Sequence, residues 1–347
     1  MDTTMSVWGP GLAISLLAAM IPAVLYVLLV RWLDRYEKEP GALLAGAFLW
    51  GSVPAVLLSL IAEVSLGLPL SAVGCGQLCD LAQATAIAPV VEEVVKGLAL
   101  LGLCLFFRAE FDGTLDGVIY GALVGFGFAM TENLLYFIGS LAESGLNGLA
   151  ATIVLRSGAF GMTHAFFTGV TGAGFGYARE KSMASWRWAA PPLALGLAIG
   201  LHSLHNLGIS VTAVQPWGLF VTALNYVVGF LLIAGIVVWS LSKEKRWIAN
   251  ELAGEVGLTI TRGEYNLITR KRYLAARRAG ALVCVGGRRV YLMAELNRLA
   301  TELALKKHQL RSGDDSAAIS EAISRLRAQI GELRRIAAET IGAFVDV

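Results

Sequence analysis

Charge is scarce in this chain of 347 residues. Asp, Glu, Lys and Arg make up 16%, hydrophobic residues 56%, and the mean hydropathy is +0.65. A soluble domain carries about 25% charged residues, so an ordinary globular enzyme is excluded. The few charges are unevenly spread: residues 1–241 hold 9 Lys/Arg against 14 Asp/Glu, residues 242–347 hold 19 against 12. Cysteine is nearly as sparse, and the four present have no zinc-site spacing. Cys75 and Cys79 fit either two unpaired thiols or a small disulfide loop. A basic stretch ahead of the first apolar run is missing, Asp2 is acidic, and the run is long. A cleaved signal peptide is therefore not expected there. The glycines of "GAGFGYARE" (172–180) lack a preceding strand and a P-loop lysine, and read as helix packing.

What is present is a series of apolar runs near 11–31, 42–66, 81–107, 115–138, 148–178, 189–210 and 217–241. Each is long enough for a helix to cross a bilayer, which takes roughly 20 residues. Arg31, Arg35 and Lys38 follow the first run, Arg108 the third, Arg179, Lys181 and Arg187 the fifth, and Lys243, Lys245 and Arg246 the seventh. The loops 67–80, 139–147 and 211–216 contain neither Lys nor Arg. By the positive-inside rule the N-terminus is outside and the C-terminus cytoplasmic. The expectation is an all-α, polytopic helical membrane protein of about seven transmembrane helices in the cell membrane. Residues 1–242 form its membrane domain and residues 243–347 a mostly helical cytoplasmic tail.

Ionisable groups are costly inside a bilayer and mark functional cavities. "PVVEEVVKGLAL" (89–100) carries Glu92, Glu93 and Lys96, which helical spacing brings to one face. One lysine cannot neutralise two carboxylates, so one is left to exchange protons. "GFGFAMTENLLYF" adds Glu132 and Asn133, one turn beyond Phe128; "RSGAFGMTHAFFTGV" adds Arg156 and His164, with Thr168 a turn later; "GLHSLHNLG" adds His202, His205 and Asn206. Such groups must converge in one cavity to be tolerated. No serine or cysteine stands beside them as a nucleophile. Carboxylates can take a proton from water and return it to a leaving amine, histidines with a carboxylate can hold a metal, and Asn or His can donate to an oxyanion. Hydrolysis by activated water is the enzymatic reading. A proton relay in a transporter or channel is the alternative, against which no repeat of spans is seen.

"RWLDRYEKEP", Glu92-Glu93-x-x-Lys96, Phe128-x-x-x-Glu132-Asn133, His164 and His202-x-x-x-Asn206 resemble the ordered motifs of the PrsW family, over roughly residues 25–210. These are membrane-embedded proteases related to the CAAX prenyl endopeptidase superfamily. The resemblance implies an intramembrane endopeptidase with Glu92 and Glu93 as the carboxylates that activate water. Glu132, His164 and His202 would complete the water or metal site, and Asn206 would donate to the oxyanion. Glutamic-type and metallopeptidase chemistry both stay open. A divalent metal such as zinc would take His164, His202 and Glu132, although H-E-x-x-H is absent. The implied partner is a single-span membrane protein such as an anti-sigma factor.

Gly121, Gly125 and Ala129, at four-residue spacing, are expected to let the fourth span pack closely. Arg156 either snorkels to the interface or pairs with a site carboxylate. "DRYEKEP" reads as a solvated turn, and "RKRYLAARR" (270–278) as a segment lying on anionic lipid rather than on nucleic acid. Leu292, Leu296, Leu299 and Leu303, then Ile319, Ile323, Leu326, Ile330 and Leu333, predict a helical hairpin or coiled coil open to partner binding or self-association. His308 reads as a surface residue.

Overall fold

A hydrocarbon layer offers no water to the backbone, so long apolar runs close their hydrogen bonds internally as helices. The computed structural model describes residues 3–33, 38–72, 74–180, 183–212, 214–269, 287–312 and 317–341. Among them no strand forms beyond one bridge between Val256 and Ile260. Asp34–Glu37 of "DRYEKEP", "RKRYLAARR" and residues 313–316 lie outside the described residues. The helices are α1 (Thr3–Leu33), α2 (Gly41–Trp50), α3 (Val56–Ala72), α4 (Gln77–Ala82), α5 (Ala88–Phe106), α6 (Thr114–Ile153), α7 (Thr163–Glu180), α8 (Ala184–Thr212), α9 (Trp217–Ala253), α10 (Arg262–Thr269), α11 (Gly287–Arg311) and α12 (Ala317–Ile341). π-helical turns at Gly51–Ala55, Gln83–Ile87 and Val154–Ala159 link α2 to α3, α4 to α5, and extend α6.

Five runs among the described residues are long and apolar enough to span a membrane: Trp8–Leu33, Gly41–Pro69, Thr114–Glu180, Ser185–Thr212 and Trp217–Ala253. The seven expected segments map unevenly onto them. Thr114–Glu180 is 67 residues long and holds two antiparallel helices, α6 and α7. Helix α5 drops out because Glu92, Glu93 and Lys96 place three charges in it. The chain divides into two units, the first made of Met1–Asp34 and Glu39–Val237, the second of Arg35–Lys38 and Val238–Val347.

In the first unit α6 is the central helix. Its glycine face meets α7 backbone to backbone: a methyl group on Gly117 would overlap the Gly172 carbonyl, one on Gly121 the Thr168 carbonyl, and one on Gly125 the His164 carbonyl. Gly127 approaches the Phe48 carbonyl of α2 as closely. On another side Tyr26 of α1 stacks on Phe126, ring centroids 5.0 Å apart. Small residues therefore do in this bundle what interlocking side chains do in a soluble core. Gly145 has φ 64° and ψ −156°, a backbone essentially confined to glycine, and ends the long rise of α6. The chain then turns back, and Thr152 Oγ1 donates to Ser140 Oγ at 2.9 Å. A disulfide joins Cys75, just ahead of α4, to Cys79 in the first turn of that helix. Glu39, read as part of a solvated turn, is instead buried and accepts from Tyr120 Oη at 2.5 Å.

The second unit has its own core. Leu292, Leu296, Leu299 and Leu303 of α11 face Ile319, Ile323, Leu326 and Ile330 of α12, with Leu252 and Ile260. His308, expected at the surface, stacks on Trp247 with centroids 3.9 Å apart. Glu255 is fully buried and accepts from Lys307 Nζ at 2.5 Å, Arg327 Nη2 at 2.7 Å and Thr259 Oγ1 at 2.6 Å. Burial alone would raise its carboxyl, but these donors outweigh burial and hold it down to about 2.

Gly121→Leu is expected to destabilise the protein by about 2 kcal/mol or more by forcing α6 off α7, while Gly46→Leu, which meets open space, is neutral. Thermal unfolding of the two variants in detergent micelles checks this. In the second unit the folded Glu255 titrates below its unfolded value of about 4.3. Its contribution is therefore present above pH ~4.3 and lost as pH falls through about 2. Hydrogen exchange of α12 amides in the full chain is expected to show Glu255→Gln weaker than the parent at pH 7, the gap closing over that window.

Candidate active site

Four elements converge on one buried ammonium group. Helix α5 brings Glu92, Glu93 and Lys96, α6 brings Phe128, Glu132 and Asn133, α7 brings His164 and Thr168, and α8 brings His202. The helical register expected for the first three is the one observed. Lys96 Nζ, with no exposure, donates to Glu92 Oε2 at 3.0 Å and Glu93 Oε1 at 2.9 Å. Its third contact is His164 Nδ1 at 3.1 Å. The Phe128 ring lies 3.7 Å from the same nitrogen, a cation–π contact that strengthens when desolvated. All three N–H groups of the ammonium are thus engaged, and the two carboxylates outnumber it by one charge.

The two glutamates are not equivalent. Glu93 is fully buried and accepts from Lys96 and from His202 Nδ1 (3.1 Å) on Oε1, and from Thr168 Oγ1 (3.0 Å) on Oε2. Glu92 retains 6% exposure and, among the described residues, accepts from Lys96 alone. Its Oε2 lies 3.9 Å from His202 Nε2 and 4.0 Å from His164 Nδ1. The imidazoles of His164 and His202 stand edge-on, centroids 5.1 Å apart, and Phe167 stacks on His202.

Glu132 occupies the other end of His164. Its Oε2 is 2.9 Å from His164 Nε2 and is paired with Arg156 Nη2. Arg156 Nε also donates to Asn133 Oδ1 at 2.8 Å, and its guanidinium covers the Tyr136 ring. Of the two positions open to Arg156 in the sequence, the structure shows the pairing with a site carboxylate. Asn206 is not among the cluster's hydrogen-bond partners: its Nδ2 donates to the Ala84 carbonyl at 2.9 Å, tying α8 to the π turn ahead of α5. Glu63 of α3 was not singled out from sequence, yet it is near enough for electrostatic interaction with Glu92, Glu132 and Lys96. A lone carboxylate inside the second apolar run was the signal for it.

Glu92, Glu93, His164 and His202 each offer one atom within 4.8 Å of the others. Two carboxylates and two imidazoles are a donor set suited to zinc and its neighbours. This group differs from the expected set of His164, His202 and Glu132, because Glu132 is spent on Arg156 and on the far nitrogen of His164. A metal held here would take the place at which the Lys96 ammonium now meets three of the four donors.

The model of the PrsW family of intramembrane metalloproteases matches residues 39–239. The chain belongs to the PrsW family. A Protease PrsW of Geobacillus kaustophilus is 28% identical over 205 residues, 58% of this chain and 82% of that protein. Those of Clostridioides difficile and Bacillus subtilis are 32% and 33% identical over 35% and 32% of this chain, covering 49% and 47% of their own lengths. No solved structure matches. As a PrsW-family member the chain is a membrane-embedded peptidase, and the matched region holds every residue of the cluster.

Removing Lys96 strands two carboxylates in a buried site. Lys96→Met is expected to cost about 3–5 kcal/mol, and Glu93→Gln in the same chain to recover part of that loss. Thermal unfolding of the single and double variants measures both.

Proposed function

We propose that the cluster hydrolyses a peptide bond in or beside the membrane span of a single-pass protein, with Glu92 as general base. The observation that carries this reading is the inequality of the pair. Glu93 is held by three donors and orients the site, whereas Glu92, among the described residues, has one hydrogen-bond donor and keeps an accessible edge. Glu92 takes a proton from water, the oxygen adds to the scissile carbonyl carbon, and Glu92 returns the proton to the amine as the C–N bond breaks. The Lys96 ammonium, held between the two carboxylates, supplies positive charge beside the developing oxyanion. A metal, were it bound by Glu93, His164 and His202, would supply Lewis acidity and a more acidic water, leaving Glu92 free as the base.

The proposed placement is the cell membrane with seven crossings, the N-terminus outside and the second unit cytoplasmic. It rests on the distribution of Lys and Arg among the loops. The disulfide at Cys75 and Cys79 supports it, since that loop then lies on the oxidising side. An anti-sigma-factor-like regulator is the proposed substrate class. In the second unit the apolar stripes of α11 and α12 are turned into their own core, so self-association, where it occurs, uses other faces.

A survey of new protein N-termini in membranes expressing the wild-type chain or Glu92→Gln at matched abundance tests the reading. Termini in or beside single spans are expected to fall about 10²–10⁴-fold in the variant. Matching profiles across stress conditions would overturn it and favour proton or ion movement through the cavity.

A further inference from the structure

The peptidase reading leaves Arg156 without a role, although an arginine inside a membrane bundle is among the costliest residues to place there. Its surroundings define one. His164 is contacted at both ring nitrogens, Nδ1 by Lys96 Nζ at 3.1 Å and Nε2 by Glu132 Oε2 at 2.9 Å. A protonated lysine only donates, so Nδ1 accepts and a neutral ring carries its proton on Nε2, directed at Glu132. The Nδ1 lone pair is thereby turned to Lys96, Glu92 and Glu93. It is the nitrogen that His164 offers to a metal or to a proton from the reaction.

Glu132 can hold that tautomer only if its carboxylate stays in place. Arg156 does the holding: Nη2 pairs with Glu132 Oε2, Nε donates to Asn133 Oδ1 at 2.8 Å, and the guanidinium plane rests 3.8 Å from the Tyr136 ring centroid. All three partners belong to α6, so the fork is fixed against one helix by a bond to each of two adjacent side chains and a ring one turn on. Arg156 itself sits in the π turn Val154–Ala159, a local widening common at functional sites. The order is Arg156, Glu132, His164, then the glutamate pair, the arrangement in which a carboxylate behind a histidine sets its tautomer.

We propose that Arg156 is a positioning residue. It holds Glu132 so that His164 keeps its proton on Nε2 and its lone pair on Nδ1, facing Glu92, Glu93 and Lys96. The consequence for activity rests on the peptidase reading, but the tautomer does not. Glu132 acts in this scheme through His164 and is not a metal ligand. An ion pair serving only to tie the π turn to α6 would affect stability and leave the imidazole unchanged.

The test uses full-length protein in micelles with 15N-labelled histidine, the His164 signals being identified by their loss in His164→Asn. In the wild type, Nε2 is expected to carry the proton and Nδ1 to be bare. Arg156→Gln is expected to give a mixture of tautomers. Against a single-span reporter its kcat falls about 10–100-fold, with KM within about threefold, as expected for a residue acting through His164. Arg156→Lys keeps a positive charge against Glu132 but loses the fork to Asn133. It is expected to retain the wild-type tautomer and turnover within about threefold of the parent. An unchanged tautomer in folded Arg156→Gln overturns the proposal. So does loss of the tautomer in Arg156→Lys, which stays decisive if the glutamine variant does not fold. The nitrogen signals are read without substrate. Absence of cleavage by the wild type therefore counts against the peptidase reading and leaves the judgement on Arg156 intact.

Discussion

A lysine ammonium sealed from solvent must be surrounded by acceptors, and the arrangement of the catalytic cavity follows from that requirement. Lys96 satisfies it with two carboxylates of its own helix and one imidazole from α7. Having three donors to place, it fixes the phase of α5, the depth of α7 and the orientation of His164 together. Glu93 then ties in α8 through His202, and Thr168 adds a second attachment to α7. Three mostly apolar helices are thus aligned by a handful of polar contacts in their interior. In a medium where apolar burial between helices has little driving force, such contacts and close packing are what specify the assembly.

The cavity also needs helices that approach closely, and this is the contribution of α6. Side chains at Gly117, Gly121 or Gly125 would push α7 away, and with it His164, whose carbonyl packs against Gly125. The glycine face and the charged cluster are therefore one design. Without backbone contact near Gly125, Glu132 would not reach the far nitrogen of His164.

Much of this was legible in the sequence because the bilayer permits few solutions. Apolar length announced the helices, and the scarcity of charge inside them made Glu92, Glu93, Lys96, Glu132, His164 and His202 conspicuous. The i, i+3 and i, i+4 spacing in α5 foretold both Lys96 bonds. The contacts that escaped join residues far apart in the chain. For Arg156 the sequence left open a choice between the interface and a site carboxylate, because the turn at Gly145 that brings it back to Glu132 has no readable period. Asn206 has the right spacing from His202 to share its face, yet its amide serves the Ala84 carbonyl. Glu39 looked like one more charge in a polar turn, and only the tertiary structure places Tyr120 over it. Span counting was limited by the same chemistry that marks the site, since α5 is too charged to pass as an apolar run.

The π turn at Gln83–Ile87 sets a clock for the glutamates. It lies directly ahead of α5 and is clamped from both sides, by Asn206 on the Ala84 carbonyl and by Gln83 on the Glu63 carbonyl. Each residue of an α-helix advances the side-chain direction by about 100°. A single residue gained or lost within the clamped turn would therefore leave α5 apolar and helical, but turn Glu92 and Glu93 away from His164 and His202. Side-chain chemistry would be conserved in full while its address was lost.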